Sequence, residues 1–378
     1  MAFEVGSKTQ LLRIAEAVWG TMPVSSTGTV AVDSVAKTFT RSTGSFLTDG
    51  YLVGMSFTTS GFTNSGNNGT FVVSAVTATV LTASAASTLV TETAAAGRTI
   101  SPNMTKSRFT DLSLDPVMAM IESKEIRGDR MTSDVRGTTL TGEGDWGFEF
   151  APGDFDDLLE AAMGGTWATN VLKAGPTQHS FTLEVGHLGI SQYKLITGAL
   201  IDKLSLSIKP GAIVTGKFTV LGQDFTLAGT TAATATTAAG GLSPYDAQNA
   251  SMVMKEGGVT SAIITGLDFT IDNSTEKATA VGSKNLVGAQ FGRSKVTGTL
   301  TALFQDAAML SKFIAETPSS IECKLSNGTK SHDFLFGNVK YTGGKSDVTT
   351  EGLLAISLPF TALYDAVSGS NLQITRVP

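Results

Sequence analysis

The residues of this sequence best equipped for chemistry are His179, His187 and His332, the lone Cys323, the acids Asp154, Asp156 and Asp157, and the pair Glu143 and Asp145. Zinc needs ligands at short, fixed spacings, and none of the three histidines has a second ligand so placed. The three aspartates offer oxygen to calcium, but the further oxygen ligands of a recognisable loop are missing, and helix capping explains two of them. Glu143 and Asp145 are paired only in sequence, whereas glycoside hydrolysis needs carboxylates about 5 to 9.5 Å apart across a cleft. Cys323 reads as a small buried hydrophobe, and one cysteine permits no internal disulfide framework and suits a reducing cytoplasm. No phosphate-cradling glycine loop, nucleophile elbow or Cys/His constellation occurs. These residue types ask for no catalysis, cofactor or metal.

The densest chemistry is electrostatic. Glu122, Lys124, Glu125, Arg127, Asp129, Arg130, Asp134 and Arg136 crowd one short stretch of a chain in which only 16% of residues are charged. Behind them Trp146, Phe148 and Phe150 alternate with Asp145, Gly147 and Glu149, which predicts a half-buried strand within Gly137 to Phe150. A short helix is predicted next. Asp154 is placed to cap it, Asp157 adds a second carboxylate at its N-terminus, and Phe155, Leu158, Leu159 and Ala162 form its apolar stripe. Gly164 and Gly165 stop it.

This composite of charge run, strand, capped helix and Gly164-Gly165-Thr166-Trp167 resembles the tail tube proteins of long-tailed, non-contractile bacteriophages. A Ser-x-Glu-Ile-Arg-x-Asp-Arg pattern expected there is met by Ser123, Glu125, Ile126, Arg127, Asp129 and Arg130. The resemblance covers Leu11 to Pro23 and then about Met104 to the C-terminus, leaving Lys37 to Ile100 outside. It implies a mainly β fold: a tail-tube-type β-sandwich or split barrel with two short flanking helices, lending strands to a hexameric inner β-barrel. The implied function is structural, with stacked hexameric rings forming the hollow tail of a virion, assembled in the host cytoplasm and traversed by double-stranded DNA. Implied partners are further copies of the chain, tail-tip initiator and terminator proteins, and a tape measure protein in the lumen. It also implies inter-subunit contacts for Glu122, Glu125, Arg127, Asp129, Arg130 and Arg136. By residue type alone those charges are a solvated loop with ion pairs of about 0 to 1 kcal/mol each. As a subunit contact, they would set register more than affinity.

Composition agrees with a channel better than with a nucleic-acid binder, since a net charge of −6 supplies no basic stripe to displace counterions from phosphate. Length allows two or three domains, and 41 glycines among many threonines and alanines favour strands and turns. Met1 to Trp19 has no signal-peptide pattern, and no apolar run reaches the roughly 18 residues of a membrane span. No membrane insertion is expected.

The predicted organisation is a discontinuous tail tube domain, residues 1–36 and 101–378, with terminal arms, interrupted by a small β domain at 37–100 on the tube exterior. At the N-terminus, Ser7 and Gln10 with Leu11, Ile14, Ala15 and Val18 predict a short helix, while the resemblance offers an arm or inner strand over Leu11 to Pro23. In the insertion, Thr38 to Arg41, Leu52 to Thr58, Thr70 to Val76 and Thr79 to Leu81 read as strands. Turns fall at Thr48-Asp49-Gly50 and at Asn67-Asn68-Gly69, whose residues tolerate positive φ, and Ala83 to Ala96 reads as the return path. The main domain resumes with a strand at Leu112 to Leu114.

Beyond a strand at Thr177 to Leu183, four strands share one design. In Asp202 to Ile208, Leu204, Leu206 and Ile208 oppose Ser205 and Ser207; in Val214 to Val220, Val214, Phe218 and Val220 oppose Thr215, Lys217 and Thr219, with Lys209-Pro210-Gly211 turning between. Leu267, Phe269 and Ile271 oppose Asp268, Thr270 and Asp272; Val296, Leu300, Ala302 and Phe304 oppose Lys295, Thr297, Thr299 and Thr301. In an isolated sandwich the polar face is simply the solvent side. The resemblance offers a second reading, a lumen lined by Ser205, Ser207, Lys217, Thr219, Asp268, Thr270, Thr297, Thr299 and Thr301, its sheet edges closed by neighbours.

Thr226 to Gly241 is low-complexity Ala/Thr/Gly, a loop or an inter-subunit arm. A second helix is predicted behind Asp306, with Met309, Leu310, Phe313 and Ile314 as its apolar side and Pro318 beyond its end. Strand and Asp-led helix in the same order twice read as an internal duplication. Ile321 to Leu325, a turn at Asn327-Gly328, His332 to Tyr341 and Leu353 to Leu363 close the fold, and Leu372 to Val377 is a last strand or an arm. Two rival functions remain at this level. A surface adhesin or carbohydrate-binding β protein lacks an aromatic platform and a secretion signal; an outer-membrane barrel lacks aromatic girdles.

Overall fold

The computed structural model describes residues 6–249, 251–346 and 353–378. After one 3-10 turn (Gly6–Lys8) the chain enters strand β1 (Thr9–Glu16), so the predicted N-terminal helix is not formed. Its apolar run is buried on both faces, Leu11 in a larger core and Leu12 and Ile14 in a smaller one. A strand with two buried faces carries near-continuous apolar residues, which over a short window also satisfy a helical stripe. The side chain of Ser7, the predicted cap, lies outside the described groups.

Strands β2 (Ser26–Asp33), β3 (Thr38–Arg41), β4 (Ser56–Ser60), β5 (Gly69–Val76), β6 (Val80–Ala83) and β7 (Glu92–Ser107) follow. β2 pairs with β3, β3 with β6, β6 with β5, β5 with β4, β4 with β7 and β7 with β2, closing a six-stranded barrel. Closure leaves no sheet edge. Phe39, Phe46, Tyr51, Phe57, Phe62 and Ile100 fill the interior, which is a packed core rather than a pore. Two local expectations are corrected here. Asn67 and Asn68 keep negative φ and instead stitch the loop with their amides: Asn67 Nδ2 donates to the Val90 carbonyl and to Glu92 Oε2, both at 2.8 Å, and Asn68 Oδ1 accepts from Phe62 N at 2.9 Å. The return path ends early, because β7 begins at Glu92 and runs from the barrel wall into pairing with β1.

The larger unit continues with β8 (Asp111–Leu112), β9 (Asp115–Glu122), β10 (Val135–Glu149) and helix α1 (Asp156–Met163). Trp146, Phe148 and Phe150 point into the larger core, where the Phe148 ring lies 4.5 Å from Phe218 and 4.4 Å from Phe155 between centroids. α1 buries Leu158, Leu159, Ala161, Ala162 and Met163 and ends at Gly164, whose φ of 59° is the left-handed cap. The cap at its other end differs from expectation. Phe155 occupies the N-cap without a side-chain bond, while Asp154 and Asp157 face cations: Asp154 Oδ2 accepts from Arg108 at 3.1 Å and Asp157 takes Arg13 through both oxygens at 2.8 and 3.0 Å. An arginine can satisfy two carboxylate oxygens at once, which a backbone amide cannot.

Then come β11 (Val171–Lys173), β12 (Ser180–His187), β13 (Gln192–Ile208), β14 (Thr215–Leu221), β15 (Asp224–Ala228), β16 (Ala235–Thr237), β17 (Val253–Glu256), β18 (Val259–Thr260) and β19 (Ile264–Asp272). The low-complexity stretch thus holds parts of two strands. β16 pairs with β7, and Glu184 pins the intervening loop by accepting from Thr231 Oγ1 and Ala232 N, each at 2.6 Å. The remainder is β20 (Glu276–Ala278), β21 (Gly288–Gln290), β22 (Lys295–Leu303), helix α2 (Ala308–Ile314), β23 (Ser319–Ser326), β24 (Ser331–Tyr341), β25 (Lys345–Ser346), β26 (Ala355–Ala362) and β27 (Gln373–Val377). Asp306 serves α2 from one residue outside the cap position, accepting from Ala308 N at 2.8 Å. β27 is a strand within the subunit, laid between β24 and β11, rather than an arm.

One ladder organises the larger unit. β9 and β8 pair with β10, β10 with β14, β14 with β13, β13 with β19, β19 with β22, β22 with β26 and β26 with β24. Its inner side covers the larger core and its outer side carries the polar residues.

Candidate functional site

Register turns the alternating strands into rows across the sheet. One row runs Lys217, Ser205, Thr270, Thr297, Thr361, and the next runs Glu149, Thr215, Ser207, Asp268, Thr299, Pro359. A third runs Asp145, Thr219, Lys203, Asp272, Lys295, and Thr301 stands opposite Gly266 and Ser357. Each strand's intervening residues, such as Leu204, Leu206, Phe218, Phe269 and Leu300, are buried. A side-chain period of two leaves no other choice once one face is apolar. All nine residues assigned from sequence to a polar face therefore lie on one side of the sheet, which curves into an open groove of about 800 Å³ lined by seven of them, all but Thr219 and Thr301.

The groove's chemistry is hydroxyl-rich and internally compensated. Ser207 Oγ donates to Asp268 at 2.5 Å and Thr219 Oγ1 to Asp145 at 2.8 Å. Lys217 Nζ lies 3.4 Å from the other Asp145 oxygen, and Lys203 Nζ lies 2.8 Å from Asp272. Partial burial pushes the Asp272 carboxyl up, but the Lys203 hydrogen bond and charge and the bond from Ser274 more than offset it, so it sits below the usual carboxylate range. Lys203 is correspondingly raised by Asp272. Lys217 and Lys203 are thus neutralised where they stand, whereas Lys295 at the end of the third row has no ion-pair partner among the described residues; none of the row residues is aromatic. Apart from Lys295 at its margin, a phosphate backbone would meet no unpaired cation on this surface, and no stacking platform among the row residues.

The charge run sits elsewhere. β9 and the first part of β10 form a ribbon joined by residues 123–134, and every residue of β9 is exposed. Glu122 ends β9, Glu125, Arg127, Asp129 and Arg130 lie in the joining loop, and Arg136 is in β10. Arg136 Nε reaches Asp134 at 2.6 Å and Arg127 reaches Asp129 at 3.8 Å, while Glu122, Glu125 and Arg130 have no ion-pair partner among the described residues. Interleaved with them are exposed Val117, Met118, Met120, Ile121, Ile126 and Met131. The two-stranded ribbon therefore stands in water with much apolar surface uncovered.

A family model for phage tail tube proteins matches residues 6–362, most of the chain and both cores. The chain belongs to the phage tail tube protein family. It is a structural component of the virion tail with a β-rich fold, and the match runs through the six-stranded barrel that the resemblance left aside. A search of curated proteins finds no match to the chain.

The tail tube protein also contains polar clusters whose members sequence reasoning did not bring together. His332 is buried between Tyr245 Oη, 2.8 Å from its Nδ1, and Asp156, 3.0 Å from its Nε2. Arg376 donates to the other Asp156 oxygen at 2.5 Å and lies over the Trp167 ring, tying β27 to α1. Burial pushes the Asp156 carboxyl up, but the His332 bond and the Arg376 charge hold it below the ordinary range. Glu16, buried in β1, accepts from Gly20 N, Ser180 Oγ, Thr182 Oγ1 and Gly198 N. Sequence reasoning weighed His332 and Asp156 only as metal ligands, and neither carries a local signal of its partners 87 to 220 residues away. Cys323 is buried, and its surroundings together with Asp333 and Glu322 push its thiol well above the ordinary range. Among the described residues no group of His, Cys, Asp or Glu is arranged to hold a metal ion, and no helix is long and apolar enough to cross a membrane.

Proposed function

We propose that this tail tube protein is the major tube subunit of a long-tailed, non-contractile phage, and that its copies close into rings that stack into the conduit for viral DNA. The observation that carries the reading is the curved, self-neutralised hydroxyl face: nine polar residues from four strands in register, with no aromatic side chain among them. Facing a lumen, such a surface would let phosphate pass without binding it. The ring symmetry implied by the resemblance is six-fold. The exposed β9–β10 ribbon, with Glu122, Glu125, Arg127, Asp129, Arg130 and Arg136, would join neighbouring subunits. None of the groove-lining residues comes from the six-stranded barrel, which supports a position for that barrel on the tube exterior. Assembly in the host cytoplasm, and contacts with an initiator, a terminator and a tape measure protein, complete this reading.

Negative-stain electron microscopy of the purified protein at rising concentration tests it directly. Rings or hollow tubes are expected; persistent monomers, even with tail-tip extract added, would overturn it. Within assembled tubes, Ser205→Arg, Thr270→Arg or Thr299→Arg should leave the tube intact and slow DNA delivery by phage carrying the variant. Normal delivery by all three would remove these residues from the lumen.

A further inference from the structure

The second half of the main sheet repeats the first, element for element. β8 and β9, β10, α1, β12, β13 and β14 are matched in order by β19, β22, α2, β23, β24 and β26. The pairings match as well: β8–β10 and β19–β22, β10–β14 and β22–β26, β12–β13 and β23–β24, β13–β14 and β24–β26. With Asp154 and Asp306 superposed, each just ahead of its helix, the registers place Gly144 with Val296 and Phe148 with Leu300. Asp111 and Asp115 then fall on Asp268 and Asp272, because their β10 partners Gly147 and Glu143 correspond to Thr299 and Lys295. Lys203, opposite Thr219, falls on Lys340, opposite Thr361. Each unit also sends a hairpin from the same corner, the β9–β10 ribbon in the first and β20–β21 in the second.

Within the chain the two units are joined in a definite way. β19 of the second unit pairs with β13 of the first, Lys203 directly opposite Asp272 and bonded to it at 2.8 Å. The β20–β21 hairpin then lies back along the first unit: Lys277 reaches Glu143 at 2.6 Å, the Leu140 amide donates to the Lys284 carbonyl at 2.8 Å, and Gln223 Nε2 donates to the Leu286 carbonyl at 3.1 Å. Leu286 is buried by this contact.

The second unit has the same receiving surface, and it is vacant among the described residues. On the side of β24 where β23 stops at Val339, Lys340 and Tyr341 have no ladder partner, although their other side pairs with β26. Where the hairpin lies on the first unit, the second has a groove of about 800 Å³ lined by Arg293, Ser294, Lys295, Leu363 and Tyr364. Arg293 to Lys295 are the counterparts of Thr141 to Glu143, the stretch that Lys277 touches. At the opposite end of the chain, the first unit offers the unfilled counterpart of β19, Asp111 to Asp115, and an exposed apolar hairpin; within the chain Asp115 reaches Lys194 at 2.5 Å and Lys340 lies 3.9 Å from the exposed Glu316, pairs that a contact between chains would exchange.

We infer that the internal junction is the template for the contact between chains: Asp111 to Asp115 of one copy continues the sheet of the next at Lys340, with Lys340 facing Asp115, and the β9–β10 hairpin fills the vacant groove. Sheet continuation satisfies the backbone groups of the open edge, and an opposite-charge pair fixes the register, as it does at Lys203 and Asp272. Internal and inter-chain junctions then alternate with one geometry. The six-fold ring of the tube reading, on which this count rests, becomes six units supplied by three chains.

The test is a cysteine pair at the proposed junction. Directly opposed antiparallel residues lie about 4.5 to 5.5 Å apart at Cα, within disulfide reach. Lys340→Cys protein and Asp115→Cys protein are mixed under mild oxidation, and the double variant is oxidised alone and imaged by electron microscopy. The expected result is a linked dimer in the mixture and, in the double variant, a ladder on a denaturing gel that stops at the trimer. No linked dimer would overturn the contact whether or not tubes are seen, and a ladder running to the hexamer would overturn the count. Linked dimers without rings or tubes would support the contact and overturn the tube reading instead. As a second readout, Lys340→Asp alone should abolish assembly and Lys340→Asp with Asp115→Lys should restore it; failure of the pair to restore would overturn the charge pairing.

Discussion

Helices α1 and α2 occupy the same place in the two halves of the main sheet, yet α1 buries five of its residues and α2 buries none, leaving Ile314 73% exposed. Their sequences do not explain this, since Met309, Leu310, Phe313 and Ile314 make as apolar a stripe as Leu158, Leu159 and Ala162. The cover differs. The C-terminal end of α1 lies beneath the second unit's Asn273, whose amide donates to the carbonyls of Ala162 and Ile201 at 3.0 and 2.9 Å, and Arg376 on β27 closes another flank through Asp156. α2 is held through Lys312, which bonds both oxygens of Glu256 at 2.7 Å, with Met309, Leu310 and Phe313 only partly buried and Ile314 open. The first unit is completed by the rest of its own chain; the second carries the same architecture with that completion missing among the described residues.

The largest effect that would break this comparison comes from the completed half. Phe148→Ala should cost about 3 to 5 kcal/mol of subunit stability, because the cavity would open between stacked rings that cannot collapse into it, and urea unfolding of the monomer measures it. Leu158→Ala in α1 should cost about 2 to 5 kcal/mol in the same assay, whereas Leu310→Ala in half-open α2 should cost about 1 kcal/mol. In assembled tubes the two helices should converge, with the Leu310 variant losing disproportionately more thermal stability than it does as a monomer. Equal costs in the monomer would sink the idea that α2 waits for cover.

Asp156→Asn probes the clasp that completes α1 and should cost about 2 kcal/mol near neutral pH, the scale of a charged hydrogen bond. The sign with pH follows from the depressed carboxyl of Asp156. Its stabilisation is fully present above the ordinary carboxylate pKa of about 3.9 and is lost as pH falls through the lower folded value. Chemical denaturation at stepped pH should therefore show the wild-type advantage shrinking only in acid; an advantage independent of pH would rule out the ionised clasp. The smallest effect on the subunit is expected from Arg127→Glu with Arg130→Glu, within about 0.5 kcal/mol because both side chains stand in solvent. Ring or tube formation by this pair, scored by microscopy, should nevertheless be impaired, and intact tubes would clear the hairpin tip of a role in contact.

How legible the molecule is in its sequence depends on the range of the interaction involved. The polar row Lys217, Ser205, Thr270, Thr297 could be assembled from four separate strands because each obeys the same two-residue alternation, which is a local property. The turn at Lys209-Pro210-Gly211 and the stop at Gly164 were readable for the same reason: each residue imposes its own backbone geometry. The N-terminal strand was not readable as such, because Leu11, Leu12 and Ile14 are shared between two cores and a strand buried on both sides has no alternation to display. Asp154 and Asp157 looked like caps since helix starts attract acids, and only the arrival of Arg108 from just beyond β7 and of Arg13 from β1 redirected them.

The sequence by itself determined the mainly β character, the polar and apolar sides of each long strand, and the two short helices that follow Asp154 and Asp306, because all of these follow from side-chain period and glycine spacing. Tertiary structure alone decided that the 37–100 stretch and β2 close into a filled barrel, that the four alternating strands share one curved sheet, and that one repeat is covered while its twin is open. Those outcomes rest on pairings between residues tens to hundreds of positions apart. Their energy comes from burial and register, neither of which exists until the partners have met.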